Sequence, residues 1–537
     1  MQDISLLNSI IGPVMRGPSS SHSAAPYMIA RTARELALGE GETLAAARIR
    51  FDPSGSFAQV YANQGSDEGF AAGLWGVELT SPDYRYILPR LKAGEGFAFD
   101  IEIGRLRRAD HPNRVELRLT VRDAAGRERT DLFEGVSTGG GMFAVDALDG
   151  RPLPFTGTAH GLVVEGGPAD GAAVTAAVEA AGHTVSTCTA AGSGTWVLEI
   201  GRPADPRTCA RLREVLGAGR VRWCAARQYP VASGEVLFEG ADRVLREVAE
   251  RGGDLAGLAL DHEARRLGVT AATARGWFEE RLDVMLASVR SGLSHDPADN
   301  RMRFLKPTAR RVAAANLPPG LGGDVLRQAI AGALAAMEQS GNREVVCAAP
   351  TAGSAGVVPG CLYALECQGV PRAALVDALQ VMALVGAVFA ARSTFAAEVG
   401  GCSVETGASA AMAAAGVAHV YGAAADQAFA AAAMCLMNTL GLVCDPVGGE
   451  VEIPCHARNI AGVAHVFSAC QAVLAGFDAV LSFDDMVAAT VEVAGKMHSD
   501  LRCTARGGCA ATATGKCLSA VPRGGAATPR MPLASRD

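Results

Sequence analysis

A chain of 537 residues is long enough for several domains, each with its own buried core. Its formal net charge is −7, and no Lys/Arg cluster interleaves with aromatics, which argues against a nucleic-acid partner and for a small-molecule one. Hydrophobic residues make up 49% of the chain but aromatics only 5%, so Ala and Gly carry much of the apolar content and favour closely packed helices.

The N-terminus, MQDISLLNSIIGP, has neither a basic start nor a long apolar core, so no secretory leader is expected and the chain reads as cytoplasmic. Residues 1–155 alternate helix and strand signals and predict an α/β domain. IARTARELALGEGE has helical periodicity and ends in Gly, while RIRFDPSGSFAQVYA and RVELRLTVRD alternate as half-buried strands do. Residues 156–230 follow a β-α-β-β-α-β order, the ferredoxin-like pattern. Small domains of that shape serve as regulatory ACT-like modules or as packing spacers, and the residues leave both readings open.

From residue 231 to 520 helical periodicity dominates, as in GADRVLREVAERGG and GGDVLRQAIAGALAAMEQSG, and an all-α catalytic domain is expected. Its most apolar stretch, Leu375 to Ala397, carries Asp377 and Arg392, so it reads as a buried helix and no membrane span is expected. Residues 521–537 are rich in Pro, Gly and Ser and predict a disordered tail. The fold class expected is thus multidomain α/β + α.

Fourteen cysteines in a reducing compartment call for metal binding, catalysis or core packing before disulfides. Cys188, Cys209, Cys224, Cys347, Cys361, Cys367, Cys435 and Cys470 lie in apolar or strand-like surroundings and read as small hydrophobes. Cys402 in EVGGCSVETG, Cys444 in GLVCDPVGGEV and Cys455 in EIPCHARN differ, each being flanked by Gly or Pro in loop-like context. No C-x-x-C occurs, which excludes a zinc ribbon and a bacterial ferredoxin motif. Spacing alone does not decide between three ligands and three unrelated core cysteines.

Four blocks, AAPTAGSAGVVPG, EVGGCSVETGASAAMAAAG, GLVCDPVGGEVEIPCHARN and ARGGCAATATGK, resemble the α part of bacterial iron–sulfur L-serine dehydratases. IGPVMRGPSSSHSAAPYMIAR, GSFAQVYANQGSD and GVSTGGGM resemble the β part, here fused ahead of the α part. The resemblance implies a 4Fe-4S cluster on Cys402, Cys444 and Cys455. Three thiolates leave one iron without a protein ligand, free to act as a Lewis acid on the hydroxyl and carboxylate of L-serine. Loss of the Cα proton and of hydroxide then gives aminoacrylate, which becomes pyruvate and ammonia, with no pyridoxal phosphate (PLP). A homodimer is expected on the same ground.

Ser19, Ser20, Ser21 and His22, in the run GPSSSHS, are the substrate-contact candidates of the first domain. The alternative is a helix N-cap, which Ser also serves well. Ser20, Ser21, His22 and Asp67 are the catalytic candidates, His22 being the one for the general base. Gln64 stands where the family usually has His, so it can supply hydrogen bonds but no proton transfer. Thr351, Gly353 and Ser354 form a small-residue turn whose amides suit a carboxylate or simply permit tight helix packing. Arg458 and Asn459 follow a ligand cysteine directly and fall in its surroundings, as further substrate-contact candidates. Cys509 and Cys517 are possible additional ligands or bystanders. Rival activities are L-threonine deamination or desulfuration of L-cysteine by the same chemistry, and, more remotely, a non-catalytic amino-acid or redox sensor.

Overall fold

A computed structural model describes residues 4–192, 194–232, 238–252, 254–316 and 323–521. The segment expected to be a disordered tail lies outside the described residues from 522 onward. Contacts divide the chain into two compact units, Met1–Arg281 and Leu282–Asp537.

In the first unit, helix α1 (Ala25–Ala37) buries Ala25, Ile29, Ala33 and Leu36 and leaves Arg31, Arg34 and Glu35 partly covered, as its periodicity requires. Strands β1 (Thr43–Phe51), β2 (Ala98–Ile103), β3 (Arg114–Arg122), β4 (Glu128–Gly139), β5 (Met142–Leu148) and β6 (Arg151–Phe155) form one sheet in the order β2-β1-β3-β4-β5-β6. Only the β1–β2 pair is parallel among these. Alternation sets which face is buried: Val115, Leu117, Leu119 and Val121 of β3 are all fully enclosed.

The long strand expected over RIRFDPSGSFAQVYA stops at Phe51. The Asp52 carbonyl accepts from Gly55 N–H at 2.9 Å and its carboxylate from Ser54 N–H at 3.0 Å. That turn diverts the chain into a short helix, α2 (Ser56–Val60), so Pro53 and Gly55 outweigh the alternation that follows them.

Strand β7 (His160–Glu165), helix α3 (Gly171–Ala180), strands β8 (Val185–Ala190) and β9 (Thr195–Ile200), helix α4 (Pro206–Leu216) and strand β10 (Arg220–Cys224) come next. Their antiparallel sheet runs β10-β7-β9-β8. Leu162, Val164, Leu198 and Ile200 pack beneath Val174, Val178 and Leu212. Arg222 of β10 reaches Asp131 of β4 at 2.8 Å and Glu165 at 2.7 Å, which ties the two sheets together. Helices Ala241–Glu250 and Leu255–Leu267 belong to this unit, although their periodicity resembles that of the helical half. The Glu263 carboxylate explains the attachment: it accepts from Ser5 Oγ at 2.5 Å and from the Leu6 and Leu7 amides at 2.7 and 3.0 Å.

The second unit is built on helices α5 (Asp324–Gly341), α6 (Val357–Cys367), α7 (Arg372–Arg392), α8 (Thr406–Val420), α9 (Ala425–Thr439), α10 (Cys455–Leu474) and α11 (Phe483–Lys496). Small residues let these helices touch backbone to backbone. A Cβ on Gly360 of α6 would sit 2.7 Å from Ala329 O and Ala333 N of α5. Helix α7 is long and apolar enough to cross a membrane, but 83% of its most apolar window is buried inside the protein. Of the eight cysteines read as core residues, Cys367 is exposed and Cys188 half-buried, while the other six are buried.

Candidate functional site

The cysteines singled out by the sequence fall in one region of the second unit. Cys402 lies in a tight turn, Gly401–Ser403, between the short helix Ala397–Gly400 and α8. Gly401 has φ +69, and a Cβ there would meet Leu442 O at 2.7 Å, so the Cys402 turn presses directly on the segment leading to Cys444. Ser403 fastens that approach, its N–H donating to Leu442 O at 3.1 Å and its Oγ to Thr439 O at 2.9 Å. Cys444 in turn pairs with the C-terminal segment: Cys444 N–H donates to Leu501 O and Cys503 N–H to Cys444 O, both at 2.8 Å. Cys455 is the first residue of α10, with Pro454 at the helix cap.

The donor atoms of Cys402, Glu405 and Cys444 all lie within 4.8 Å of one another. Cys503 packs with Cys402 and Cys444. Cys455 stands outside the tight trio but close enough for its thiol to feel charge on Cys402 and Cys503. Electrostatics divide these thiols. A hydrogen bond with Cys444, aided by Arg458, brings the Cys402 thiol down to about 7 despite burial. Cys444 is pushed well up, first by that same hydrogen bond, then by one with Cys503 and by burial. Burial likewise raises Cys455. Cys402 is thus the thiol that ionises most readily, while Cys444 and Cys455 must shed protons before they can bind a metal.

Arg458 is the counter-charge. Its Nη1 donates to Cys402 Sγ at 3.2 Å and its Nη2 to Asp445 Oδ1 at 2.6 Å. Burial alone would lower its pKa, but Cys402 and Asp445 hold it above the ordinary value. Asp445 Oδ2 accepts from Cys509 N–H at 2.6 Å, so each oxygen of this carboxylate holds a donor. Glu405 is pushed well above the carboxylate range, first by burial and then by Cys402 and Glu398.

The Thr351–Ser354 turn is braced from α10. Asn459 Oδ1 accepts from Gly356 N–H at 3.0 Å, and its Nδ2 donates to Gly353 O and to Cys455 O, both at 2.9 Å. Thr351 Oγ1 and Ser354 Oγ are 3.1 Å apart, and Thr351 also donates to the Glu405 carboxylate. Thr351, Gly353, Ser354, Arg458 and Asn459 thus converge with the cysteines. Cys509 reaches Asp445 through its amide and through its thiol, which burial and that carboxylate push up, and Cys517 is exposed on helix Ala513–Ala520.

The remaining candidates lie in the first unit. Ser19 caps the turn Ser20–Ala24, its Oγ accepting from His22 N–H at 3.1 Å, as the N-cap reading requires. Ser20, Ser21 and His22 are buried. His22 Nε2 is 3.2 Å from Ser56 Oγ, its ring meets Phe57 edge-on, and burial lowers its pKa to about 3. Ser23 Oγ donates to the Gln64 carbonyl at 2.7 Å, which brings the Gln64 segment to the same turn. Asp67 lies in the first turn of the helix Ser66–Trp75.

Sequence reasoning missed Glu405, Asp445 and Cys503. The first two stand inside quoted blocks, three residues after Cys402 and one residue after Cys444. For Cys503 only the pairing with Cys444 reveals proximity. Chemically, enclosed thiol sulfurs with one carboxylate oxygen and a guanidinium to balance thiolate charge fit a thiolate-bound metal group.

Residues 243–510 match the family model for the serine dehydratase alpha chain. The L-serine dehydratase alpha chain of Peptoniphilus asaccharolyticus is 34% identical over 281 residues, covering 52% of this chain and 96% of that relative. A probable L-serine dehydratase alpha chain of Bacillus subtilis is 34% identical over 267 residues, 49% of this chain and 89% of the relative. L-serine dehydratase 2 of Escherichia coli is 34% identical over 181 residues, 33% of this chain and 40% of the relative.

Proposed function

The chain belongs to the serine dehydratase alpha-chain family, and from that premise we infer that it is an L-serine ammonia-lyase. It removes water from L-serine and releases pyruvate and ammonia. The observation that carries the reading is the grouping of Cys402, Cys444 and Glu405 donor atoms within 4.8 Å, beside Cys455, inside the matched region.

We propose that Cys402, Cys444 and Cys455 hold a 4Fe-4S cluster. When bound, the cluster supplies a Lewis acid at an iron without a protein ligand, so no pyridoxal phosphate is needed. Arg458 favours the Cys402 thiolate and offsets its charge. Asn459 keeps the Thr351–Ser354 turn fixed against α10, so the turn can present its amides to the substrate carboxylate. Ser19, Ser20, Ser21, His22 and Asp67 are proposed as polar contacts to substrate. His22, uncharged at neutral pH, acts there through hydrogen bonding or by taking a proton, not through a standing positive charge.

The β7–β10 sheet with α3 and α4 is proposed as an ACT-like module, supported by its element order. A cytoplasmic homodimer acting on a free amino acid completes the reading. Anaerobically purified protein assayed with L-serine, L-threonine and L-cysteine tests it. The expected result is pyruvate from serine, with the highest kcat/KM of the three; faster turnover of threonine or cysteine would replace serine as the substrate.

A further inference from the structure

We propose that a cavity beside the first turn of α1 binds an α-amino acid with an apolar side chain, its carboxylate on Arg281 and its ammonium on Glu78. Such a ligand is not the serine of the dehydratase reading, and no residue proposed for that reaction holds it.

Three observations lead there. First, the first unit contains a cavity of about 420 Å³, a size suited to a small molecule, lined from Leu7 through Tyr27 and Met28 of α1 to Tyr229 and Arg281. Its described lining includes none of Ser19, Ser20, Ser21, His22 or Asp67.

Second, the two guanidiniums on its wall are unequally answered. Arg227 is ion-paired with Glu35, and both side chains are only 11% exposed. Among the described residues Arg281 makes no hydrogen bond or ion pair. It lies over the Tyr229 ring, 5.5 Å from the centroid, and its Nε is enclosed without an acceptor. Tyr229 is stacked on Trp277 at 4.1 Å, and its N–H donates to Asn8 Oδ1 at 3.0 Å, so the surface beneath the guanidinium is fixed. A partly enclosed cation without an anion is disfavoured, and a carboxylate on the outer nitrogens of Arg281 answers it with a charge-assisted pair.

Third, the lining carries a carboxylate that is available. Glu78 is 76% exposed and meets only Arg31, at 3.5 Å, an ion pair too long and too open to hold it firmly. Val14, Met28 and Leu79 add aliphatic wall. A molecule that answers a guanidinium, a carboxylate and aliphatic wall together is an amino acid with a hydrocarbon side chain. Serine would set its hydroxyl against groups that offer no hydrogen bond.

The test is titration calorimetry on the full chain with L-leucine, with isocaproate, which lacks the ammonium, and with L-serine. L-leucine has no β leaving group, so the proposed reaction does not consume it. The expected result is one equivalent of L-leucine bound, at least about tenfold more tightly than isocaproate or serine. Arg281→Gln should weaken L-leucine about tenfold to a hundredfold, as for a lost charge-assisted hydrogen bond. Glu78→Gln should bring L-leucine down to the level of isocaproate and leave isocaproate unchanged within about threefold. Pyruvate formation from serine should persist in both variants, with kcat within about twofold. No binding of L-leucine up to about 10 mM overturns the proposal, as does an unchanged affinity in Arg281→Gln or equal weakening of both acids in Glu78→Gln. Displacement of L-leucine by an equal concentration of L-serine also overturns it, because the aliphatic wall then plays no part. Glu78 is mostly exposed, so Glu78→Gln decides the matter if Arg281→Gln does not fold. A wild type that binds L-leucine but forms no pyruvate defeats the dehydratase reading and leaves the role of the cavity standing.

Discussion

Arg458 joins a buried carboxylate to a thiol that is half-ready to ionise, and both partners depend on it. Removing the guanidinium leaves Asp445, 2% exposed, without its counter-charge and strips the Cys402 thiolate of its donor. Breaking such a pair from one side costs about 3–5 kcal/mol. Arg458→Met is expected to lower unfolding stability by roughly that amount in chemical denaturation, and to bind less iron. His22 has the opposite character, since burial keeps it neutral. Its native pKa is lowered from 6.5 to about 3, so below pH 6.5 the unfolded chain takes up a proton that the native chain refuses. Stability from this group is therefore intact above pH 6.5 and falls as pH drops toward 3, at up to about 1.4 kcal/mol per pH unit. His22→Asn should flatten the acid side of the melting temperature against pH; an unchanged slope would assign the acid sensitivity elsewhere.

At the scale of elements, the cysteine locus is three chain segments cross-linked by backbone bonds, and the helices behind it are held by glycine. Gly360 of α6 meets α5 backbone atoms that cannot move aside without shifting the helix. Gly360→Val is expected to destabilise the protein by about 1–3 kcal/mol or more, measured by thermal or denaturant unfolding, because overpacking here displaces main chain. Much of this level was legible in the sequence. Gly and Ala enrichment pointed to close helix packing, and the Gly and Pro neighbours of Cys402, Cys444 and Cys455 pointed to loops. Other features were not. The strand through Asp52 was overextended because alternation resumed after a turn that Pro53 and Gly55 impose. Cys503 is not legible there, because its link to Cys444 is a pairing between distant segments, which no local periodicity records. Glu405 is not legible either, because a carboxylate at a helix start reads as a cap, and only its distance to two sulfurs says otherwise.

At the scale of the whole molecule, the two units carry different halves of the chemistry read from the sequence. The serine-rich turn, Gln64 and Asp67 lie in Met1–Arg281, while the cysteines, Glu405, Arg458 and the Thr351 turn lie in Leu282–Asp537. The matched family region extends from 243 to 510 and so covers every residue of the cysteine locus. An iron–sulfur cluster at this locus that turns over serine is the proposal on which the rest depends. Iron, acid-labile sulfide and pyruvate release, all read on anaerobically purified wild type and Cys444→Ala, test it. Iron, sulfide and pyruvate are expected from wild type, and loss of all three in the variant with the fold retained by circular dichroism. An iron-free wild type that still forms pyruvate, or a Cys444→Ala protein that keeps both cluster and activity, would contradict it.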